Sequence, residues 1–463
     1  MMKKILTALL LIATASSCNS ILEIEPLAQI SSNQAFTDLN SAQGVVNGLY
    51  NNLQIVYQWR VQVISDVASD MSQQIDTWDA LIAADEFNWG ADNSEVEDLY
   101  TTLYRCIDIS NSIIAYVPGM TIAQADKDDM MGQAYFVRGL AYFDLARFWG
   151  GVPNVYGTDG AVIKLTPSVG ISQEDYAKRS TLRQTYDQAE KDLVEALAKL
   201  PETRATAVLS KAKATKPAAR ALLARYYLYN QQWANAEKYA TDAIANKPLN
   251  TPFETIFKTK NSAETLFELQ FNENDGQGIR QWYYPSSQNG RGGTALHDAM
   301  YAEMVANPAD VRGTLVAKNT TANVYYPTKW SAAQNADNFQ LLRMSEQYLI
   351  RAEARAEQNN VTGAADDLNA VRTRAGIAKT TASTKADLIT AILQERKLEF
   401  VGEGQRWFDV IRRGLGMTVF SNVRRSKGSL PSYSIKVAGR QVLPFPSAEV
   451  RTNTNIQQNE VYR

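Results

Sequence analysis

The stretch Arg220–Pro248, RALLARYYLYNQQWANAEKYATDAIANKP, decides the fold. Leu223, Ala224 and Tyr227 recur at helical spacing within 215–229, and Ala236, Ala240 and Ala243 do so within 233–246. Small residues at Ala236 and Ala243 let a second helix lie close against the first, and Tyr227 fills the groove between them. The segment therefore reads as a helical hairpin with an apolar seam.

Outward from it the same pattern returns. Tyr348, Ala352, Ala364, Leu368 and Val371 follow the spacing more loosely, and Tyr135, Gly139 and Tyr142 repeat its first helix. The spacing is tetratricopeptide-like, and such pairs stack on their neighbours into a curved scaffold. Periodicity predicts helices over 40–57, 96–116, 125–148, 180–199, 215–229, 233–246, 341–358, 361–374, 385–403 and 405–413. Between 247 and 340 it breaks into short apolar pieces, Gly-rich turns and aromatic clusters. Thr265–Phe271 alternates like a strand, and Tyr433–Leu443 suggests a second. The fold class is mostly α, with a loop-rich insertion and a few short strands.

The N-terminus is of another kind. Lys3 and Lys4 precede a short apolar run, Ile5–Ala15, and small residues then lead into Cys18. This is a signal peptide over 1–17, too short for a membrane span. It looks like a bacterial lipobox, with Ala15 where a larger apolar residue is usual, so Cys18 is the expected site of lipidation. With Cys18 acylated, Cys106 is the one remaining thiol, and its apolar-periodic setting reads as a buried structural position. No later stretch is long and apolar enough to cross a bilayer. A formal net charge of −2 over 463 residues excludes nucleic acid as the main partner, because phosphate binding needs a basic surface.

Six segments in order resemble one family. Leu22-Glu23-Ile24-Glu25-Pro26 is similar to the opening of SusD/RagB proteins, and Phe36, Ala42, Gly48, Leu49 and Tyr50 are similar to their first helix. Ala134–Pro153 (AYFVRGLAYFDLARFWGGVP) resembles their long helix running into a Gly-Val-Pro turn. Arg343–Gly376, ending LNAVRTRAG, and Ile392–Gly414 (ILQERKLEFVGEGQRWFDVIRRG) resemble the C-terminal signature. Leu443–Pro446 and Asn455–Tyr462 resemble the closing segment, with Glu460 and Val461 where Pro and Gly are expected.

The resemblance implies one SusD-like domain over 18–463. Its parts are a helical portion (18–245), a ligand-face insertion (246–340) and a C-terminal portion (341–463). It further implies a lipoprotein of the outer membrane facing the exterior. Such a protein captures glycans, or sometimes peptides, and serves as a lid for a SusC-like TonB-dependent transporter. The stretch from Cys18 to about Ser32 is expected to act as a flexible tether.

Catalysis has few candidates. Glu395, Glu399 and Glu403 lie at i, i+4 and i+8, and a glycosidase would need two such carboxylates across the scissile bond. Arginines that pin helices together use the same pattern, and that structural reading is preferred. His297 is the sole histidine, which removes a histidine-rich metal site and leaves nucleophilic triads to one residue, read as structural. No cofactor and no metal is expected; Asp92-Asn93 and Asn272–Gly278 are read as solvated turns.

Aromatics outside the helices are the better candidates, because a sugar ring has an apolar C–H face and a rim of hydroxyls. Trp78 lies between Asp76 and Asp79, and Trp282-Tyr283-Tyr284 are flanked by Gln281, Asn289 and Arg291. The loop 58–95 and the insertion are expected to bring these residues into one shallow ligand face. Trp330, after Lys329, is read as scaffold. The rival readings are a peptide-binding protein of the same fold, a surface glycoside hydrolase and a lid without ligand affinity.

Overall fold

The computed structural model describes residues 35–170, 176–245, 247, 249–425 and 431–463. The signal peptide, Cys18, the tether and the Leu22–Pro26 motif lie outside the described residues. A row of packed helices makes the scaffold. It begins with α1 (Leu39–Tyr57), α2 (Arg60–Val67), α3 (Ser94–Tyr116), α4 (Gln124–Leu145) and α5 (Leu182–Lys199). It continues through α6 (Lys216–Tyr229), α7 (Trp233–Ile244), α9 (Met344–Glu357), α10 (Val361–Arg374) and α11 (Lys385–Glu399), while α8 (Asp298–Val305) packs on the strand Val324–Pro327 and the 311–315 turn. Successive members α3 to α7 pack in order, and α9 joins α7 to α10 and α11.

The α6–α7 hairpin forms as its sequence requires. Leu223, Ala224, Ala236 and Ala240 are wholly buried, and Tyr227 stacks on Tyr239 with ring centroids 5.4 Å apart. Ala352, Ala364, Leu368 and Val371 make the equivalent seam between α9 and α10. On α4, Gly139 faces α5 so closely that a Cβ there would stand 2.9 Å from Leu193 and 3.1 Å from the Ala189 carbonyl. The absent side chain sets the spacing of that helix pair.

Several boundaries move, each for a local reason. The helix expected from 180 starts at Leu182, where Thr181 and Gln184 form a capping box. The helix expected from 341 starts at Met344, because Phe339–Arg343 is strand β6, paired with β2 (Thr265–Leu269). The helix expected to 403 ends at Glu399; Gly402 and Gly404 turn the chain at φ 81° and 72°, and Gly404 lies against the α2 backbone. The strand suggested over Tyr433–Leu443 is a correction. Only Ser432–Tyr433 pairs, with Val423–Arg424, and Ala438–Gln441 forms a 3₁₀ turn. Beyond it Leu443 N–H donates to the Phe148 carbonyl and the Trp149 indole donates to Pro444, fixing an irregular segment on the scaffold.

The expected 58–95 loop is largely structured. It contains α2, the strand β1 (Ser72–Gln74) and a short helix at Asp79–Asp85. In the insertion, β3 (Thr294–Leu296), β4 (Val316–Asn319) and β5 (Val324–Pro327) join β1 in a sheet of order β1-β3-β5-β4. The β1–β3 register (Ser72 with Leu296, Gln74 with Thr294) carries Asp76 and Arg291 to adjacent positions at one end of the sheet. Among the described residues no helix is long and apolar enough to cross a membrane.

Candidate ligand-binding site

Beyond β1 the chain turns at Asp76, whose Oδ1 accepts from the Trp78 N–H at 3.0 Å and from the Gln74 amide. This turn presents Trp78 at the start of the Asp79–Asp85 helix. On the paired side, the Ile75 N–H donates to Gly293 at 2.8 Å, and a Cβ at Gly293 would stand 2.5 Å from Asp76 Oδ2. The loop between Tyr284 and β3 folds back tightly. Asn289 takes the left-handed conformation (φ 59°), and the Arg291 N–H donates to the Gln281 carbonyl at 2.6 Å. Arg291 is thereby held over the Ile279–Tyr283 helix.

Its guanidinium lies 4.6 Å from the ring centres of both Trp78 and Trp282, and its Nε donates to Asp76 Oδ2 at 2.5 Å. Trp78 and Trp282 meet edge to face at 5.8 Å, and Trp282 lies 4.8 Å from Trp59. Trp59 in turn carries Arg60 at 5.0 Å, which pairs with Glu95 and Asp98 at 2.9 and 2.8 Å. The result is a continuous cationic–aromatic row whose Trp78–Arg291 end is partly open to solvent. The Arg291 side chain keeps 35% of its exposure.

The expected residues divide between surface and core. Asp79, Gln281, Asn289 and Arg291 are exposed, Asp76 and Trp78 are half-buried, and all lie at the same end of the sheet or on its adjoining loops. Trp282 is 6% exposed and is the inner wall of the row. Tyr283 and Tyr284 are corrections to the reading of an aromatic platform. Tyr283 points into the core, its hydroxyl 2.8 Å from Ser72 Oγ and 3.3 Å from Asp66 Oδ2. Tyr284 packs on Tyr326 at 5.0 Å beneath Arg280, and burial pushes its hydroxyl up to about 12. Trp59, which the sequence reading missed, is part of the row; the one signal was its place in the gap after the first helix.

The other candidates are structural. Glu399 is wholly buried and accepts from Arg343 and Arg374, with Arg312 3.5 Å away. Burial raises its carboxyl, but the three guanidiniums outweigh that and hold it well below the usual range. Glu395 accepts from Arg312 and Arg372, and Glu403, in the turn after α11, accepts from Lys329 and Arg343. These carboxylates are sealed from substrate. His297 is buried with Nε2 2.7 Å from Arg425; burial and that cation push its pKa down to about 3. Trp330, 2% exposed, packs between Phe257 and Phe339.

Residues 251–462 match the model of the SusD family, and residues 25–228 match one described as starch-binding and associating with the outer membrane. The chain belongs to the SusD/RagB family. A SusD-like protein, P2, of Formosa agariphila is 24% identical over 99% of both chains. The starch-binding protein SusD of Bacteroides thetaiotaomicron is 32% identical across 27% of this chain and 21% of its own length. Among solved structures, a putative sugar binding protein from Bacteroides vulgatus superposes with a TM-score of 0.80 at 27% identity. That likeness covers 93% of this SusD/RagB chain and all of the other. The mostly α SusD-like fold expected from the hairpins and the six motifs is the fold found.

Proposed function

We propose that this protein is a non-catalytic glycan-binding lipoprotein, anchored through Cys18 in the outer membrane and facing the exterior. There it captures oligosaccharides and passes them to a SusC-like TonB-dependent transporter. The observation that carries the reading is the half-open Trp78–Arg291–Asp76 corner. A sugar ring lays its C–H face on the accessible part of Trp78, and the Arg291 N–H groups not spent on Asp76 donate to its hydroxyls. Asp79, Gln281 and Asn289 on the rim supply further acceptors and donors. Trp282 and Trp59 keep Trp78 in place from behind, so the site is preformed and little ordering free energy is spent on binding.

The same corner weighs against a peptide carboxylate as the main ligand, since Asp76 already neutralises Arg291. The burial of Glu395 and Glu399 weighs against a hydrolase built on that helix. The family's description as starch-binding and the sugar-binding name of the solved relative support a glycan.

Calorimetric titration of the mature chain with a panel of neutral and acidic oligosaccharides and short peptides tests the reading, with the mixtures then assayed for new reducing ends. Saturable sugar binding without new ends is expected. Turnover, or binding confined to peptides, overturns it.

A further inference from the structure

The turn between α5 and α6 belongs neither to the scaffold core nor to the Trp78 corner. Its short helix, Ala207–Ala212, buries none of its residues, and two apolar side chains stand out from it: Val208 is 51% exposed and Leu209 42%. The tip is fixed from below. Thr206 caps it through the Leu209 N–H at 3.1 Å, and the Ser210 hydroxyl accepts from the Arg204 N–H at 2.8 Å. Lys211, Lys213 and Lys216 follow, and none has an ion pair among the described residues. Lys211 donates to the Thr265 carbonyl; Lys213 donates to Asn47 at 2.8 Å and lies 4.0 Å from the Tyr50 ring centre. Two carboxylates beside the turn are already taken, Asp129 by Arg204 at 2.8 Å and Glu202 by Arg220 at 2.5 Å. Burial, then the Lys247 charge for Lys211 and the Arg204 charge for Lys213, pushes both ammonium groups down to about 8. The turn is a place of excess positive charge on a chain whose formal net charge is −2.

We infer that this turn is a second, non-covalent contact of the protein with an anionic membrane surface, with Val208 and Leu209 entering the headgroup layer and the three lysines meeting lipid phosphates. Shape and charge together choose the partner. A protruding apolar tip followed by unpaired cations gains from both terms of interfacial binding, apolar burial and attraction to anionic lipid. Two projecting side chains give an acidic protein little to close on, since stable protein interfaces bury about 1,000 Å² or more.

The consequence is orientation. A lipid on Cys18 holds the chain near the membrane without choosing which face turns toward it, and this contact makes that choice. The inference rests on the outer-membrane placement proposed above, and its test leaves out the acyl chain so that the two fail separately.

Co-sedimentation of the mature chain, without its acyl group, with vesicles of phosphatidylcholine alone or mixed equally with phosphatidylglycerol reads the contact. Partition into the mixed vesicles is expected to exceed that into the neutral ones by at least about tenfold at low salt, and to fall as salt is added. Lys213→Gln with Lys216→Gln should lower it about tenfold. Val208→Ser with Leu209→Ser, both at exposed positions, should lower it by roughly the same factor, and each pair should leave melting unchanged. Absence of partition overturns the inference, and so does partition indifferent to either pair. Binding of soluble polyglutamate without partition also overturns it and assigns the turn to an acidic protein. The lipid-anchored placement is read apart from this, by membrane fractionation of the full-length chain beside Cys18→Ala.

Discussion

The network around Glu399 and the corner around Arg291 use the same side chains to opposite ends. Both set arginines against carboxylates and aromatic rings. Around Glu399 the partners come from strand β6, helix α10 and the 311–315 turn, and no member is more than a few per cent exposed. Each charge is paired inside the protein. At Arg291 a single ion pair sits at the surface, two rings lie against one guanidinium, and part of each group still faces water. Closure makes scaffold; the unfinished coordination of surface groups leaves room for the proposed ligand.

Breaking the scaffold side has the largest expected effect. Glu399→Ala leaves Arg343 and Arg374 buried beside an empty position and is expected to cost about 3–5 kcal/mol, read by denaturant unfolding. Its pH signature has a definite sign. Because the folded carboxyl is depressed, its contribution is complete above the unfolded value near ~4.3 and is lost as pH falls through the folded one. The parent chain should therefore lose stability in acid more steeply than the variant.

His297 gives the next effect. Its folded pKa of about 3 lies below its ordinary value, so the unfolded state binds the extra proton. No penalty is present above pH ~6.5, and stability should fall by about 1.4 kcal/mol per pH unit between there and about 3. His297→Asn should flatten that slope, while binding between pH 7 and 8 is unchanged in the parent.

Two smaller changes sharpen the border between site and core. Tyr283→Phe removes a buried hydroxyl bonded to Ser72 and should cost roughly 1–3 kcal/mol of stability, leaving sugar affinity within about twofold. If Tyr283 instead belonged to a platform, affinity would move and stability would not. Arg291→Lys keeps the charge but loses the planar fork, and should weaken binding by roughly three- to tenfold with unchanged melting.

The hairpins were legible because period-3.6 patterns survive wherever one face of a helix is buried. Arg60–Val67 was not: Val61 and Val63 alternate as in a strand, while Gln62, Ser65 and Asp66 are buried too, so no amphipathic stripe remains. The sheet strands β1 and β3 run three residues each and are buried throughout, too short to show a period. At the proposed site, sequence singled out two stretches that the structure brings together, with Trp78, Asp76 and Arg291 side by side. Local chemistry could not tell Trp282 from Tyr283, because neighbours on a single helical turn point to different surroundings. Trp59 went unseen because its partner Trp282 lies far along the chain.

The most direct test of the central claim measures affinity and stability together on Trp78→Ala. A half-open ring that serves the ligand predicts at least about tenfold weaker oligosaccharide binding, roughly 1.4 kcal/mol or more, with a melting temperature within about 2 °C of the parent. Unchanged affinity, or a chain that melts far earlier while what remains folded binds normally, would place Trp78 in the scaffold and contradict the account.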